Sequence, residues 1–343
     1  MRSSLLARFS WTALCAALTA CAPPTPEQNA ITAIYKTMTP HYAQWREASA
    51  AFSVTSNNFC HDKNTLAEAR NSWQQAMLAW TGVQAFPAGP INDKNYATQV
   101  TYWPDPKNLV AFQIEARLKN DTPIALAESS VALRGLTAAE YILFDQSHDL
   151  TQTATRQRYC PLLLAIGIYQ TNFSSSTEKE WLEFSKKIAK FPNDRFANAQ
   201  EVVTEFLRVQ VTMLDGLGKH LQEPLKSGHA QIYQLEYWRS GQTQAGLHAA
   251  IKMDEALWHN GWRALAAAKD EDLVTSIDQT YTALLGNIAP VSLQPLSVSI
   301  TTTEGLAWIR NRQSELHMLD TLYGRALAKT LGVQIGFNAN DGD

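Results

Sequence analysis

The sequence lacks the short motifs that carry the commonest cofactor and nucleophile chemistries. It has no Cys-x-x-Cys-His haem attachment motif, no phosphate-cradling glycine loop, no nucleophile elbow and no His-Glu-x-x-His pair of zinc ligands. The formal net charge is also small, at −3. A protein with so little negative charge and no positive excess attracts neither nucleic acid nor anionic lipid headgroups, so we expect no nucleic-acid partner.

Long apolar runs are equally scarce. The run from Phe9 to Leu18 has only ten residues, which is too short for a membrane-spanning helix. Arg2 and Arg8 precede it, and Leu18-Thr19-Ala20-Cys21 ends it in the pattern of a bacterial lipobox. We therefore expect residues 1–20 to be a lipoprotein signal peptide and Cys21 to carry the lipid. An ordinary secretory signal followed by an incidental cysteine is the alternative.

The lipid on Cys21 is the membrane anchor that the sequence predicts. Ala22, and not aspartate, follows the cysteine, which by the usual sorting pattern of Gram-negative cells implies the outer membrane, facing the periplasm. Residues 21–26 are rich in proline and predict a stiff, extended tether. Without its signal peptide the chain keeps 27 basic and 32 acidic residues, which gives a net charge of about −5.

Cysteine is rare, with four residues in the chain. Cys15 is lost with the signal peptide and Cys21 is lipidated, which leaves Cys60 and Cys160. In an oxidising compartment these two predict a disulfide that links two distant helix ends. Two reduced, buried thiols are the alternative.

Apolar residues recur at helical spacing through most of the chain, so the dominant secondary structure is predicted to be α-helix. Helices are predicted at about 27–52, 66–83, 107–118, 123–146, 156–172, 177–189, 202–217, 243–266, 270–287 and 306–327. This number of helices predicts an all-α fold of two packed helical bundles, of four-helix-bundle type, over residues 27–150 and 151–343.

Two stretches interrupt the helical pattern. Two prolines and a glycine in Phe86–Pro90 must end the preceding helix, and a loop of roughly 86–106 follows. Residues 296–300 alternate apolar and polar side chains and predict a short extended connector.

The segment from Arg134 to Phe144 is the most informative for function. Thr137, Glu140 and Tyr141 share one helix face, and Gly135 lets another backbone approach closely. A carboxylate in so apolar a segment needs a metal, an arginine or a hydrogen-bond donor as its partner. A plain helix–helix contact, with Glu140 paired to an arginine, is the structural alternative.

This segment resembles the central motif of the imelysin family of bacterial exported proteins, which is Gly-x-His-x-x-Glu before an aromatic or aliphatic run. Gly135 and Glu140 match the motif, and Thr137 stands at the position of the histidine. Other stretches that are similar to the family are Trp73 and Trp80 before Phe86–Pro90, Tyr102–Asp105, Glu236–Gly241 and Gly332–Asn338.

The resemblance implies two bundles with a site in the groove between them. It places Arg134, Gly135, Thr137, Glu140 and Tyr141 on one side of this groove, and Glu236 and Arg239 on the other. Glu140 would accept hydrogen bonds or hold a metal ion, and Arg134 would offset its charge. Since Glu236 and Arg239 are three residues apart, a local ion pair between them is the simpler expectation for that side.

The resemblance also links the chain to iron-regulated periplasmic proteins and, in one branch, to a peptidase. A threonine hydroxyl is a poor ligand for zinc or iron, whereas a metallopeptidase needs about three protein ligands. We therefore expect a non-catalytic lipoprotein that binds iron, another divalent metal or haem, in contact with iron-uptake membrane proteins. A metal-dependent peptidase and an adaptor that docks on a membrane partner are the alternatives.

Overall fold

The fold, described by a computed structural model over residues 23–120, 124–288 and 294–335, is built from helices, and these ranges contain no β-strand. The all-α prediction is therefore confirmed. The predicted signal peptide, Cys21 and residues 336–343 lie outside the described residues. Within the described ranges, no helix combines the length and the apolar character needed to cross a lipid bilayer.

The helices differ widely in length. In the described ranges the α-helices are α1 (Pro26–Cys60), α2 (Leu66–Gln84), α3 (Pro90–Asp93), α4 (Ala97–Val100), α5 (Leu109–Arg117), α6 (Val131–Arg134), α7 (Leu136–Phe144), α8 (Thr153–Ala189), α9 (Ala199–Gln222), α10 (Thr243–Leu257), α11 (Arg263–Ala267), α12 (Glu271–Ile288), α13 (Leu296–Ser299), α14 (Thr303–Thr321) and α15 (Ala328–Leu331). Short 3₁₀ turns lie at Leu126–Glu128, Glu223–Leu225 and Ile232–Gln234, and π-helical turns at Trp258–Trp262 and Leu322–Leu327.

Threonine side chains set the starts of the first two helices. Thr25 accepts a hydrogen bond from the backbone N–H of Gln28, whose side chain in turn accepts from the Thr25 N–H. Thr65 and Glu68 form the same reciprocal arrangement at the start of α2. Each pair satisfies backbone donors that a helix start leaves open, which fixes where α1 and α2 begin.

Large aromatic side chains fill the contact between α1, α2 and α8. The Tyr42 and Trp181 rings stack with their centroids 4.7 Å apart, and the Trp45 and Trp80 rings lie at 4.8 Å. All four side chains are fully buried. Helix α8 is one continuous helix of 37 residues, where the sequence predicted two, because the small polar residues Ser174 and Thr177 continue its buried face between the two apolar parts.

The predicted disulfide is present and joins two elements of this group. Cys60 at the end of α1 is bonded to Cys160 near the start of α8, with a Cα–Cα distance of 5.7 Å. This geometry lies within the range of ordinary disulfides. The disulfide prediction is confirmed.

A second group of long helices, α9, α10, α12 and α14, packs beside the first. The Phe86 ring meets the Phe206 ring of α9 edge-on at 5.0 Å, and α2 packs against α10. Helix α8 packs along α1 and so sits with the first group. The limits of the two bundles at 27–150 and 151–343 stay a prediction.

Three local predictions need correction. Residues 296–299 form a helical turn and not an extended connector: Leu296 and Ile300 are buried four residues apart, while Val298 between them is exposed. The loop of roughly 86–106 contains the short helices α3 and α4. The helix expected over 123–146 is divided, because Gly135 has an extended backbone (φ −82°, ψ 173°) between α6 and α7.

Candidate functional site

Glu140 is held by a loop from the second half of the chain. Its side chain is buried on α7, and its Oε1 accepts hydrogen bonds from the Ser240 backbone N–H at 2.9 Å and from Ser240 Oγ at 2.7 Å. Burial raises the pKa of Glu140, although the Ser240 bonds and the nearby Arg239 act in the opposite direction. The partner predicted for this carboxylate is therefore a hydrogen-bond donor, and it comes from Ser240.

Arg239 forms its ion pair with Asp145 and not with Glu236. Its Nε lies 2.8 Å from Asp145 Oδ2, and the guanidinium lies over the Trp238 ring at 4.4 Å. Burial would raise the pKa of Asp145, but hydrogen bonds from Ser147 and from Arg239 lower it below its ordinary value. The local pair expected between Glu236 and Arg239 is wrong, because Tyr237 between them has a left-handed backbone (φ 57°) that breaks the helical spacing.

Arg134 does not offset the charge of Glu140. It donates hydrogen bonds to the backbone carbonyls of Leu126 and Ala127 and to the side chain of Gln99. The extended backbone at Gly135 explains this difference, since it separates Arg134 on α6 from Glu140 on α7. The predicted relationship between these two side chains is corrected accordingly.

The other motif residues form hydrogen bonds or lie close to a neighbouring backbone. Thr137 Oγ1 accepts a hydrogen bond from the Tyr102 backbone N–H at 3.1 Å. A Cβ atom at Gly135 would lie 2.6 Å from the carbonyl oxygen of Val100, so the expected close approach of a backbone is observed. The Tyr141 hydroxyl donates to Glu115 at 3.0 Å.

A cavity of about 230 Å³ lies between α2, α9, α10 and the segment that precedes α10. Most of its wall is apolar, with Met213, Leu217, Leu221, Leu247 and Ala250 among the lining residues. Of the seven predicted ligand-binding residues, Glu236 lines this cavity and the other six do not. The motif residues around Glu140 are thus near the segment that builds the cavity, but outside its wall.

Glu236 and His220 bring a carboxylate and an imidazole to the cavity wall. Glu236 Oε2 lies 3.3 Å from His220 Nδ1, and the His220 ring packs on the Trp103 ring at a centroid distance of 3.9 Å. The Glu236 backbone is fixed from the other side, since Thr243 Oγ1 donates to its carbonyl oxygen at 2.6 Å. Among the described residues, neither Glu236 Oε1 nor His220 Nδ1 has a hydrogen-bond partner.

The described residues bring few metal-binding side chains close to one another. Among these residues, no three His, Cys, Asp or Glu side chains converge in a way that could hold a metal ion. His220 and Glu236 supply two donors of the kinds that iron and zinc accept. The assignment of Glu140 as a metal ligand stays a prediction.

Comparison with known protein families decides the family of this chain. The family model described as imelysin, peptidase family M75, matches residues 38–322, which is well over half of the sequence. The chain belongs to the imelysin family. A comparison with curated protein sequences gives no match.

Solved structures of similar fold agree with membership in the imelysin family. An imelysin-like protein from Psychrobacter arcticum superposes with a TM-score of 0.77 at 18% identity, covering 91% of this chain and 97% of that one. A putative iron-regulated protein A precursor from Parabacteroides distasonis gives a TM-score of 0.73 at 16% identity, with the same coverage of 91% and 97%. At these identities the likeness shows the imelysin-like fold.

Two residues of this imelysin-family protein escaped the sequence prediction. Ser240 lies within the segment Glu236–Gly241, whose likeness to the family was visible, but a serine there carries no charge that would draw attention. His220 lies near the end of α9, where a lone histidine gives no sequence signal of a long-range contact. Its ring faces Trp103 and Glu236, which come from distant parts of the chain.

Proposed function

We propose that this imelysin-family protein is a non-catalytic, ligand-binding lipoprotein of the cell envelope that serves iron or haem acquisition. The observation that carries the proposal is the cavity beside Tyr237, with its mostly apolar wall and the Glu236–His220 pair that lines it. A concave, mostly apolar pocket with a few polar groups is the usual form of a small-molecule site.

The volume of the cavity limits the classes of ligand that it can hold. At about 230 Å³ it is smaller than the roughly 300–1,000 Å³ of pockets that enclose drug-sized ligands. A small molecule, or a metal ion that keeps ligands of its own, therefore suits the cavity as it stands better than haem does. Two protein donors are fewer than the usual three or four of a tight transition-metal site, so a bare ion would bind weakly.

The link to iron rests on family and fold. The protein of similar fold from Parabacteroides distasonis is described as a putative iron-regulated protein A precursor. We propose that the present chain works in the same process, anchored through a lipid on Cys21 at the periplasmic side of the outer membrane. Iron-uptake membrane proteins are the partners that this placement suggests.

The residues present in the family motif, and their hydrogen bonds, argue against a metallopeptidase. Thr137 stands where a histidine ligand is expected, and its hydroxyl oxygen accepts a hydrogen bond from the Tyr102 backbone. Glu140 is engaged by Ser240 through one carboxylate oxygen. Since a hydrolytic zinc site needs about three protein ligands and an open water position, catalysis is not part of this proposal.

The proposal is tested by calorimetric titration of the purified full-length chain with iron(II), zinc(II) and haem. We expect at least one of them to bind, and we expect His220→Ala to weaken that binding. The matched control is His229→Ala, which removes an exposed histidine that does not line the cavity. Binding to none of the three would contradict the iron link and would favour the adaptor function.

A further inference from the structure

Two residues that line the cavity, Glu236 and His220, each have one buried polar atom without a hydrogen-bond partner among the described residues. Glu236 Oε1 and His220 Nδ1 belong to side chains that are only 16% and 28% exposed. A polar atom that is buried without a partner destabilises the folded state, so such atoms are uncommon unless something else satisfies them. Neighbouring protein atoms cover both of these atoms, but they show that the Glu236 carboxylate, which lines the cavity, has no ion-pair partner other than His220 among the described residues.

The charge state of His220 decides whether this carboxylate has a cationic partner. If the imidazole is protonated, its nearest contact is Glu236 Oε2 at 3.3 Å, and Oε1 still has no donor. If the imidazole is neutral, its proton lies on Nε2, which leaves Nδ1 as an acceptor beside the carboxylate, or on Nδ1, which leaves the charge of the carboxylate uncompensated. In both neutral states the Glu236 carboxylate has no cationic partner among the described residues, so a group that carries hydrogen-bond donors and positive charge complements it.

The rest of the wall determines what else the ligand must carry. Met213, Leu217, Leu221 and Leu247 present hydrocarbon to the cavity, and Gly216 on α9 leaves open space in its wall. An apolar surface of this kind gains free energy by covering a ligand's hydrocarbon part and loses it when charge is placed against it. The cavity therefore matches a molecule with one polar head and an apolar body.

We propose that the cavity takes a small organic ammonium compound, whose cationic head donates hydrogen bonds to Glu236 and His220 while its apolar body lies against α9 and α10. This inference rests on the proposed ligand-binding function and names the chemical class of the ligand. A primary ammonium group has three donors, which suits two adjacent acceptors. A metal ion would compete for the same two atoms, but with only two protein donors it is the weaker match.

The test compares two probes that differ in their head group. Benzylammonium and benzyl alcohol share the same ring and size, and both are titrated into the full-length chain by calorimetry. We expect benzylammonium to bind at least about tenfold more tightly, because a hydrogen bond to a charged group is worth that factor or more. Glu236→Gln, which keeps the shape of the side chain, should remove this preference and leave the binding of benzyl alcohol unchanged.

The matched control is Glu223→Gln. Glu223 lies one residue beyond α9 and pairs with Lys226 at 2.5 Å, outside the cavity wall. We expect this variant to bind both probes like the wild type. Equal thermal unfolding midpoints for the wild type and both variants will show that any loss of binding arises at the site and not from unfolding.

Three results would overturn the inference. Equal affinity for the two probes would show that the head group is not recognised. Failure of both probes to bind would reject an ammonium site at this cavity. Glu236-dependent binding of iron(II) or zinc(II) without binding of benzylammonium would assign the two acceptors to a metal. Because the iron, zinc and haem titrations are separate, a failure of the proposed function is recognised independently of these results.

Discussion

Glu140 and Ser240 lie one hundred positions apart in the chain, yet both Ser240 donors meet a single carboxylate oxygen of Glu140 at 2.9 and 2.7 Å. This contact ties α7 to the segment Tyr237–Gly241. The same segment begins beside Glu236, which lines the cavity. The glutamate of the family motif therefore anchors the loop whose residue Tyr237, like the adjacent Glu236, lines the cavity.

Loss of the Glu140 carboxylate should loosen this loop. We expect Glu140→Ala to lower the free energy of unfolding by about 1–3 kcal/mol, because the Ser240 N–H is left without its acceptor. Glu140→Gln should cost less, since an amide oxygen can still accept both hydrogen bonds. Chemical denaturation of the two variants, of Ser240→Ala and of the Glu140→Ala/Ser240→Ala double variant measures their coupling. Strictly additive effects would show that the contact does not stabilise the fold.

A second buried carboxylate should make stability depend on pH. Asp254 Oδ1 accepts from Gln210 at 2.7 Å, and its Oδ2 accepts from the Tyr281 hydroxyl at 2.7 Å. Burial raises the pKa of Asp254 to about 6, although these two hydrogen bonds lower it. The ordinary value for this carboxyl is 3.8. The difference corresponds to about 3 kcal/mol of folding free energy.

The sign of the pH effect follows from the raised pKa. The stability that protonated Asp254 contributes is complete below pH 3.8 and is lost as the pH rises through about 6. Asp254→Asn cannot titrate, so the free energy of unfolding of the wild type relative to this variant should fall by about 3 kcal/mol between about pH 4 and pH 7. Chemical denaturation at a series of pH values measures this difference. Two parallel pH profiles would show that Asp254 does not titrate in this window.

The disulfide should contribute strongly to stability. Cys60 and Cys160 are one hundred residues apart, and closing so long a loop restricts the unfolded chain considerably. We expect the Cys60→Ala/Cys160→Ala variant to lose about 2–5 kcal/mol of unfolding free energy relative to the disulfide-bonded wild type. Chemical denaturation of both proteins without a reductant measures this difference. Mass analysis of alkylated, unreduced wild type is the control. Alkylation of both thiols in that sample would contradict the bond.

Gly135 should tolerate no side chain, in contrast to a glycine in open space. A Cβ at Gly135 would lie 2.6 Å from the Val100 carbonyl oxygen, which belongs to backbone and cannot move aside cheaply. We expect Gly135→Ala to cost about 1–3 kcal/mol. At Gly286 on α12, a Cβ has nothing within 4 Å, so Gly286→Ala should be neutral or stabilise by up to about 1 kcal/mol. Equal thermal unfolding midpoints for the two variants would contradict the steric argument.

Features that follow from residue type or from spacing within one segment could be predicted from the sequence. The helical period gave the all-α fold, the pair Cys60 and Cys160 gave the disulfide, and the missing side chain at Gly135 indicated the close approach of another backbone. The need of Glu140 for a partner was also visible, because an acidic side chain in an apolar helix cannot be buried without one. The lipid on Cys21 stays a prediction.

Features that depend on backbone direction could not be predicted. The family resemblance suggested that Arg134 offsets the charge of Glu140, and helical spacing placed Glu236 beside Arg239, but the extended backbone of Gly135 and the left-handed backbone of Tyr237 interrupt the helical geometry at these two places. The contacts of Glu140 with Ser240 and of Glu236 with His220 join distant parts of the chain. Spacing rules apply within one segment, so they cannot identify contacts between distant segments.

The most direct test of the cavity as the ligand site is to fill it. Gly216 on α9 lines the cavity, and Gly218, two residues further along the helix, faces a different cleft; a Cβ at either position has nothing within 4 Å. The measurement is the calorimetric affinity of Gly216→Leu and Gly218→Leu for the tightest binder among iron(II), zinc(II), haem and benzylammonium. We predict at least about a tenfold loss for Gly216→Leu and wild-type affinity for Gly218→Leu. Wild-type affinity in a folded Gly216→Leu protein would show that the ligand binds elsewhere.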